Sequence, residues 1–510
     1  MLKNVKIFLL ILFLSIPAIW ALFVPGFFGA SDDLHIAWLH QLDASLQLGK
    51  FPPRFVPDLS FGFGYPLFNF VFPLPFYVGE VVHLLGLSFV DSIKTVFLIS
   101  IPVSGYFMYK FLKEHTSFWL ALAGAILYIY TPYRATDIYI RGAIGEIFAF
   151  IFPPLIAWAI TRGSISVIAL SVAGLILSHN IMAIMFMPFL IIYAVLIKRT
   201  LFESFLGTIL GFLISIYFWL PAIVESSLMK YDTVFNFVDH FPTIKQLITP
   251  FFGYGASVAG PYDGMSFFMG AVNLALTILV IIFYKKLNKI TLWALAMIAT
   301  SIFMMNYRST ILWQNLPLIA YFQFPWRFLT LTTFATSILV IVLDKFKYNK
   351  KIGIAVIIGA ISLNYSFFKP HDFLGRGDEY YINRYIPTPI ASEEYLKTHE
   401  EYLRLPKDTN MRPEARSTYI GLDNTFGVDF KQDSIFDYQK YYFPGWVVKI
   451  DGKKVEAYPG KPYGQVQFKV PSGRHKIEIT FQETSFRKIL DIISLLSLIT
   501  AFTIMVRREK

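Results

Sequence analysis

Long apolar runs separated by short basic gaps set the rhythm of this chain. The first run, Ile7 to Val24, carries no charge and is long enough to cross a bilayer as a helix. Further runs lie near 93–112, 117–132, 144–161, 164–178, 181–197, 203–220, 266–284, 291–305, 325–344, 352–368 and 488–506. Together they predict about twelve transmembrane helices. The basic gaps all fall on one side of that count: Lys3/Lys6, Lys110/Lys113, Arg162, Lys198/Arg199, Lys285/Lys286/Lys289, Lys345/Lys347/Lys350/Lys351 and Arg507/Arg508. Basic loops stay in the cytoplasm, so both chain ends are expected there.

The expected fold class is mainly α, a polytopic membrane protein with a C-terminal extracytoplasmic β-rich domain. Residues 1–368 form its transmembrane part, with a first outer loop at 25–92. Within that loop, Phe68 to Leu87 is apolar enough to resemble another span. Crossing there would place Lys110 and Lys113 outside, so it is expected as an interfacial or re-entrant helix broken by prolines. Other outer loops are expected at 133–143, 221–265 and 306–324. Residues 369–487 read as an extracytoplasmic domain whose first part is charged and irregular. Its last part alternates apolar and polar positions: Trp446 to Ile450, then Gln465 to Val470, then Lys476 to Phe481. With turns at Asp451-Gly452 and Ser472-Gly473, this predicts antiparallel strands in a small β-sandwich. Residues 488–510 supply the last transmembrane helix and a basic cytoplasmic tail.

Composition narrows the function classes. The chain has 510 residues, 55% hydrophobic and 15% charged, with a net charge of +11. The basic residues sit in membrane gaps, which argues against a nucleic-acid partner. There is no cysteine, so disulfides, thiolate metal sites and Cys nucleophiles are excluded. Gly29-Ala30-Ser31 passes loosely for a signal-peptide cleavage site, but the run before it exceeds the usual apolar region of such a leader. A retained first span is the expectation.

Chemistry concentrates just after that span, at Ser31-Asp32-Asp33-Leu34-His35. Two adjacent carboxylates at a membrane edge are costly unless each has water, a cation or a hydrogen-bond donor. A solvated helix cap is one reading. The other is a general base, with one acid taking a hydroxyl proton and its neighbour orienting the hydroxyl. Arg54 and Arg141 carry planar forks suited to phosphate; snorkelling is the alternative for Arg54 and an ion pair with Glu146 for Arg141. Asp137, Arg141 and Glu146 cluster at the second outer loop. His179-Asn180 interrupts an apolar stretch at a span's end, suiting sugar or phosphate hydrogen bonds or a simple helix turn. Trp326-Arg327 reads first as an interfacial anchor. Tyr441, Tyr442, Phe443 and Trp446 read first as sandwich core. The nine histidines show no metal-ligand spacing.

In this setting Asp32-Asp33-Leu34-His35 resembles the acidic pair of the GT-C glycosyltransferases, with Asp33 where Glu is usual. Further stretches are similar to a bacterial and archaeal branch of that superfamily, the YfhO-like proteins. Some of these carry the misleading label 6-pyruvoyl-tetrahydropterin synthase-related. The stretches are Gly49 to Arg54, Gly62 to Phe68, Tyr133-Arg134, Arg141 to Glu146, Ser178 to Asn180, Trp219 to Ala222, Phe324 to Phe328, and Tyr442 to Trp446 with Asp451 to Lys453. The resemblance implies a GT-C-like fold and transfer of a sugar from a polyisoprenyl phosphate to an acceptor hydroxyl outside the cytoplasmic membrane. Asp32 would be the general base beside Asp33. His35, Arg54, Asp137, Arg141, Glu146, His179 and Asn180 would bind substrate. It leaves a divalent cation, Mg2+ or Mn2+, optional, and leaves open whether the acceptor is glycan, lipid or protein. A lipid or polysaccharide transporter, and a noncatalytic assembly or sensing protein, are the rival readings.

Overall fold

The computed structural model describes residues 2–60, 62–230, 237–282, 287–317, 319–385, 406–408, 421–461 and 463–508. Lys285, Lys286 and most of the charged stretch 386–420 lie outside the described residues. Among those described, seven helices are long and apolar enough to cross a membrane: Leu2–Phe23, Phe89–Lys113, Ile144–Arg162, Asn180–Ile197, Pro325–Lys345, Asn349–Phe367 and Ser485–Arg507. Two bent pairs raise the count to nine. Leu201–Ile214 turns by 65° into Ile216–Val224, and Lys289–Met304 turns by 85° into Tyr307–Asn315. The chain is thus a membrane protein. The remaining apolar runs form helices too short for a full crossing, such as Ile165–Ser178 and Ala271–Ile282. Their 14 and 12 residues rise only about 21 and 18 Å. Hydropathy marks that a segment is apolar, while prolines and neighbouring helices decide how far it runs. Pro132 marks one such limit, starting a new turn just after the Phe118–Ile129 helix ends.

The Phe68 to Leu87 stretch is two helices, Leu67–Phe70 and Leu74–Leu84, separated at Pro73. Eleven residues rise about 17 Å, short of a bilayer's apolar thickness. Pro325–Lys345 is the innermost helix, its apolar window wholly buried. The first and last spans bury far less of theirs and form the lipid-facing rim.

Two short strands link the ends of the membrane part. β1 (Phe27–Phe28) follows the first helix and pairs antiparallel with β2 (Phe373–Arg376), which follows the last hairpin of helices. The C-terminal region then forms β3 (Asp423–Phe430), β4 (Ser434–Tyr441), β5 (Trp446–Ile450), β6 (Lys453–Val455), β7 (Tyr458–Pro459), β8 (Gln465–Val470) and β9 (Gly473–Phe481). One sheet runs β3-β9-β5-β6 and the other β4-β8-β7, all antiparallel. Val448, Ile450, Ile477 and Ile479 face inward against Val466, Phe468 and Val470, while alternate residues such as Lys449 stay wet. That is the period-two pattern of strands with one buried face.

This β domain sits on the first loop. Phe55 of the loop packs against Trp446 and Phe481, with ring centroids 5.5 and 4.9 Å apart. Lys440 Nζ donates to Pro57 O (2.6 Å) and Gly62 O (2.7 Å). Residues 54–60 and 62–69 are thereby held between helices and sheet.

Candidate functional site

Ser31 to Leu34 form a turn whose Ser31 is exposed, whose two aspartates are half-buried and whose Leu34 is buried. Its seat is a π-helical turn, Asp137–Arg141, of the kind that recurs at functional sites. Ser31 N–H donates to Ile140 O (3.0 Å) and Asp32 N–H to Arg141 O (2.7 Å). His35 Nδ1–H then donates to Gly142 O (3.1 Å), which fixes the ring's tautomer. Gly142 has φ +68°, and a Cβ there would lie 3.0 Å from the Ala30 Cβ. Glycine is required both by the left-handed backbone and by the close approach of the acid loop.

Beneath the acid loop lies a buried ionic cluster. Arg141 Nη1 donates to Asp137 Oδ1 and to Glu146 Oε2 (2.7 Å), and its guanidinium covers the Trp326 ring at 4.9 Å. Tyr133 OH donates to Glu146 Oε1 at 2.5 Å. Burial and the adjacent Glu146 charge push Asp137 well above the ordinary carboxylate range, against the pull of Arg141. Arg327, buried at the start of the innermost helix, feels the charges of Glu146 and Asp32, as does Arg141 that of Asp32.

His179 joins the same cluster. His179 Nδ1 accepts from Met182 N–H (3.1 Å), capping the Asn180–Ile197 helix, and its ring leans on Phe72 at 5.2 Å. Burial lowers this imidazole to about 3, so it is neutral and carries its proton on Nε2, as a donor. Among the described residues, Asp137 Oδ2, Asn180 Oδ1 and Arg327 Nε are buried without a hydrogen-bond partner. Orphaned polar atoms cost roughly 1–3 kcal/mol each, and such atoms also occur elsewhere in the helices, at Glu80 and Asn273 for example.

The second acid has different neighbours. Asp33 Oδ1 accepts from Tyr385 OH at 2.5 Å, and Arg384 and Arg376 add their charges. Burial pushes its carboxyl up, against the pull of the phenol and the two guanidiniums.

Of the sequence-predicted binding residues, His35, Asp137 and Arg141 sit in or under the acid loop, and Glu146 and His179 lie within charge range of Arg141; Asn180 instead turns its amide nitrogen to Phe70 O (3.5 Å). Arg54 does not meet the acid loop. It is buried with Nε on Glu483 (3.1 Å), Nη2 on Asp491 (2.7 Å) and Nη1 on Tyr217 O (2.8 Å). Its fork is taken up by protein acceptors, on Tyr217 and at the base of the last helix, so the structure does not bring the phosphate clamp expected of Arg54 to the acid loop. Arg327 was read as an anchor, and Tyr385, Arg384 and Arg376 gave no signal beyond their composition. Phe324 to Phe328 stands out in the sequence, and the clue at Arg327 is a lone charge opening a run, 328–343, that carries no other.

Among the described residues, no group of three or more His, Cys, Asp or Glu side chains is placed to hold a metal ion. Mg2+ or Mn2+ would lack a protein cage of that kind, and no step is assigned to one.

No protein-family model matches the chain. It is similar to an uncharacterized protein of Lactococcus lactis subsp. cremoris, 27% identical over 227 residues. The match covers 41% of this chain and 37% of that protein's length.

Proposed function

We propose that this chain is a membrane glycosyltransferase of GT-C type. It moves a sugar from a polyisoprenyl phosphate to an acceptor hydroxyl on the extracytoplasmic face of the cytoplasmic membrane. One observation carries the reading: a half-buried acid, Asp32, acts electrostatically on two buried arginines, and a neutral histidine lies within charge range of those arginines. A base beside an anion seat is what such a transfer needs. Asp32 takes the acceptor's proton as the hydroxyl oxygen attacks the anomeric carbon, and the bond from that carbon to phosphate breaks. Arg141 and Arg327 balance the charge that gathers on the leaving phosphate, and His179 Nε2–H can donate to one of its oxygens. Glu146 and Asp137 keep Arg141 aimed.

The side of the membrane is argued from the basic gaps, which put the acid loop opposite the cytoplasm. A GT-C-like arrangement of the seven to nine crossings is part of the same proposal. The test is sugar transfer from lipid-phosphate donors by the purified chain in liposomes, wild type against Asp32→Asn. General-base catalysis contributes typically 10²–10⁴-fold, so the variant should lose roughly that factor with its fold intact. Equal transfer by both forms would remove the base. Movement of intact lipid across the vesicle wall, without transfer, would favour a transporter.

A further inference from the structure

The segment after the last helical hairpin is folded back onto the acid loop. β2 pairs with β1, Asp378 Oδ1 and Oδ2 accept from Val90 and Phe89 N–H (2.8 Å each), and Tyr381 packs edge-on against Phe27 at 5.9 Å. These contacts anchor the Asp378–Tyr385 helix without help from its last residue. Tyr385, at the end of that helix, is buried, and its hydroxyl goes to Asp33. Arg384 covers the Tyr385 ring (5.5 Å) and Arg376 the Tyr380 ring (4.1 Å), which sets both guanidiniums within electrostatic reach of the same carboxylate.

We propose that Tyr385 is a positioning residue of the reacting site: its phenol, backed by Arg384 and Arg376, holds the Asp33 carboxylate as the hydrogen-bond acceptor that orients the incoming hydroxyl toward Asp32. The inference rests on the glycosyltransferase reading for what Asp33 does, but not for what holds it. A tyrosine serving only as an anchor would be redundant here, because the strand pairing, the Asp378 bonds and Tyr381 already fix the segment. The groups facing Asp33 are Tyr385, Arg384 and Arg376, together with Asp32 on its own loop; Tyr381 feels its charge as well. Asp32 and burial favour the protonated acid, while the phenol and both arginines favour the ionised one.

The sign of the effect follows. Removing the hydroxyl takes away a donor to the charged form, so Asp33 keeps its proton to higher pH. The experiment compares wild type, Tyr385→Phe, Asp33→Asn and the double variant, all full-length in lipid nanodiscs. It reads sugar transfer against pH and, separately, the infrared carboxyl band that Asp33→Asn abolishes. Tyr385→Phe should match wild type at the alkaline end and fall roughly tenfold at the acid end, the loss of one hydrogen bond to a charged group. In the Asp33→Asn background it should change nothing further, and the infrared midpoint should move to higher pH. An unmoved midpoint, a loss equal at every pH, or a loss that multiplies with Asp33→Asn overturns the proposal. A wild type that moves no sugar while the midpoint still shifts sinks the enzymatic reading and leaves the Tyr385–Asp33 pairing standing.

Discussion

Gly142 stands where the π-turn meets the acid loop, and two separate constraints act on its one hydrogen. Its φ of +68° disfavours any side chain, and Ala30 leaves no room for one. Gly49 has almost the same φ, +72°, but nothing lies within 4 Å of its would-be Cβ. The pair separates backbone strain from crowding. Each alanine variant should lose about 1 kcal/mol of stability from the left-handed backbone. Gly142→Ala should in addition push Ala30 and lift Asp32 from the Arg141 carbonyl, abolishing most transfer, while Gly49→Ala keeps it. Thermal unfolding and transfer rates of the two purified variants check this, and equal activity would mean the acid loop does not need its seat.

At the scale of elements, ion pairs decide which segments are tied together. Arg54 leaves the first loop and reaches Glu483 and Asp491 at the start of the last helix. Beside it Asn69 Nδ2 donates to Glu225 Oε2 (2.8 Å), and Glu225 also takes the Arg487 guanidinium (2.9 Å). Loop, bent span and last helix thus share one buried network. Arg54→Ala should therefore cost about 2 kcal/mol, because it leaves the half-buried Glu483 and Asp491 without their charge-assisted partner. The donor KM of the folded fraction should stay as it is. A raised KM with wild-type thermal stability would return Arg54 to phosphate binding. The same contrast explains what could be read from the chain alone. Apolar runs and strand alternation are local, so the helices of the membrane part and β5, β8 and β9 were legible from neighbours in sequence. The acid loop, Arg141, Glu146 and His179 were legible because charge inside apolar surroundings is expensive anywhere. Arg54 was not, because its carboxylate partners lie more than 400 residues away, and neither was Tyr385, an ordinary tyrosine until β2 folds back on β1. The bends after Ile214 and Met304 were equally hidden, since each half still reads as apolar.

Across the whole molecule, the β domain is pinned to the membrane part by a lysine whose hydrogen bonds go to main-chain carbonyls. Lys440 is wholly buried and donates to two loop carbonyls, and among the described residues the Asp58 charge favours its ammonium form. Burial lowers it to about 8, from an ordinary value of 10.5. Between those limits an undocked Lys440 binds a proton that the docked one has released. Docking must therefore strengthen as pH rises from about 8 to 10.5, by at most about 3 kcal/mol. Below pH 8 both states are protonated and the burial cost is carried in full. Other groups titrate over the same range, so the difference between wild type and Lys440→Met is the clean quantity. The methionine keeps the stem's packing and removes the proton. Its unfolding midpoint in nanodiscs should gain on wild type at pH 7 and lose that advantage by pH 10, as the wild-type lysine becomes neutral. Parallel curves for the two proteins would mean that water reaches the lysine, and that aromatic packing of Phe55 on Trp446 and Phe481 carries the domain contact instead.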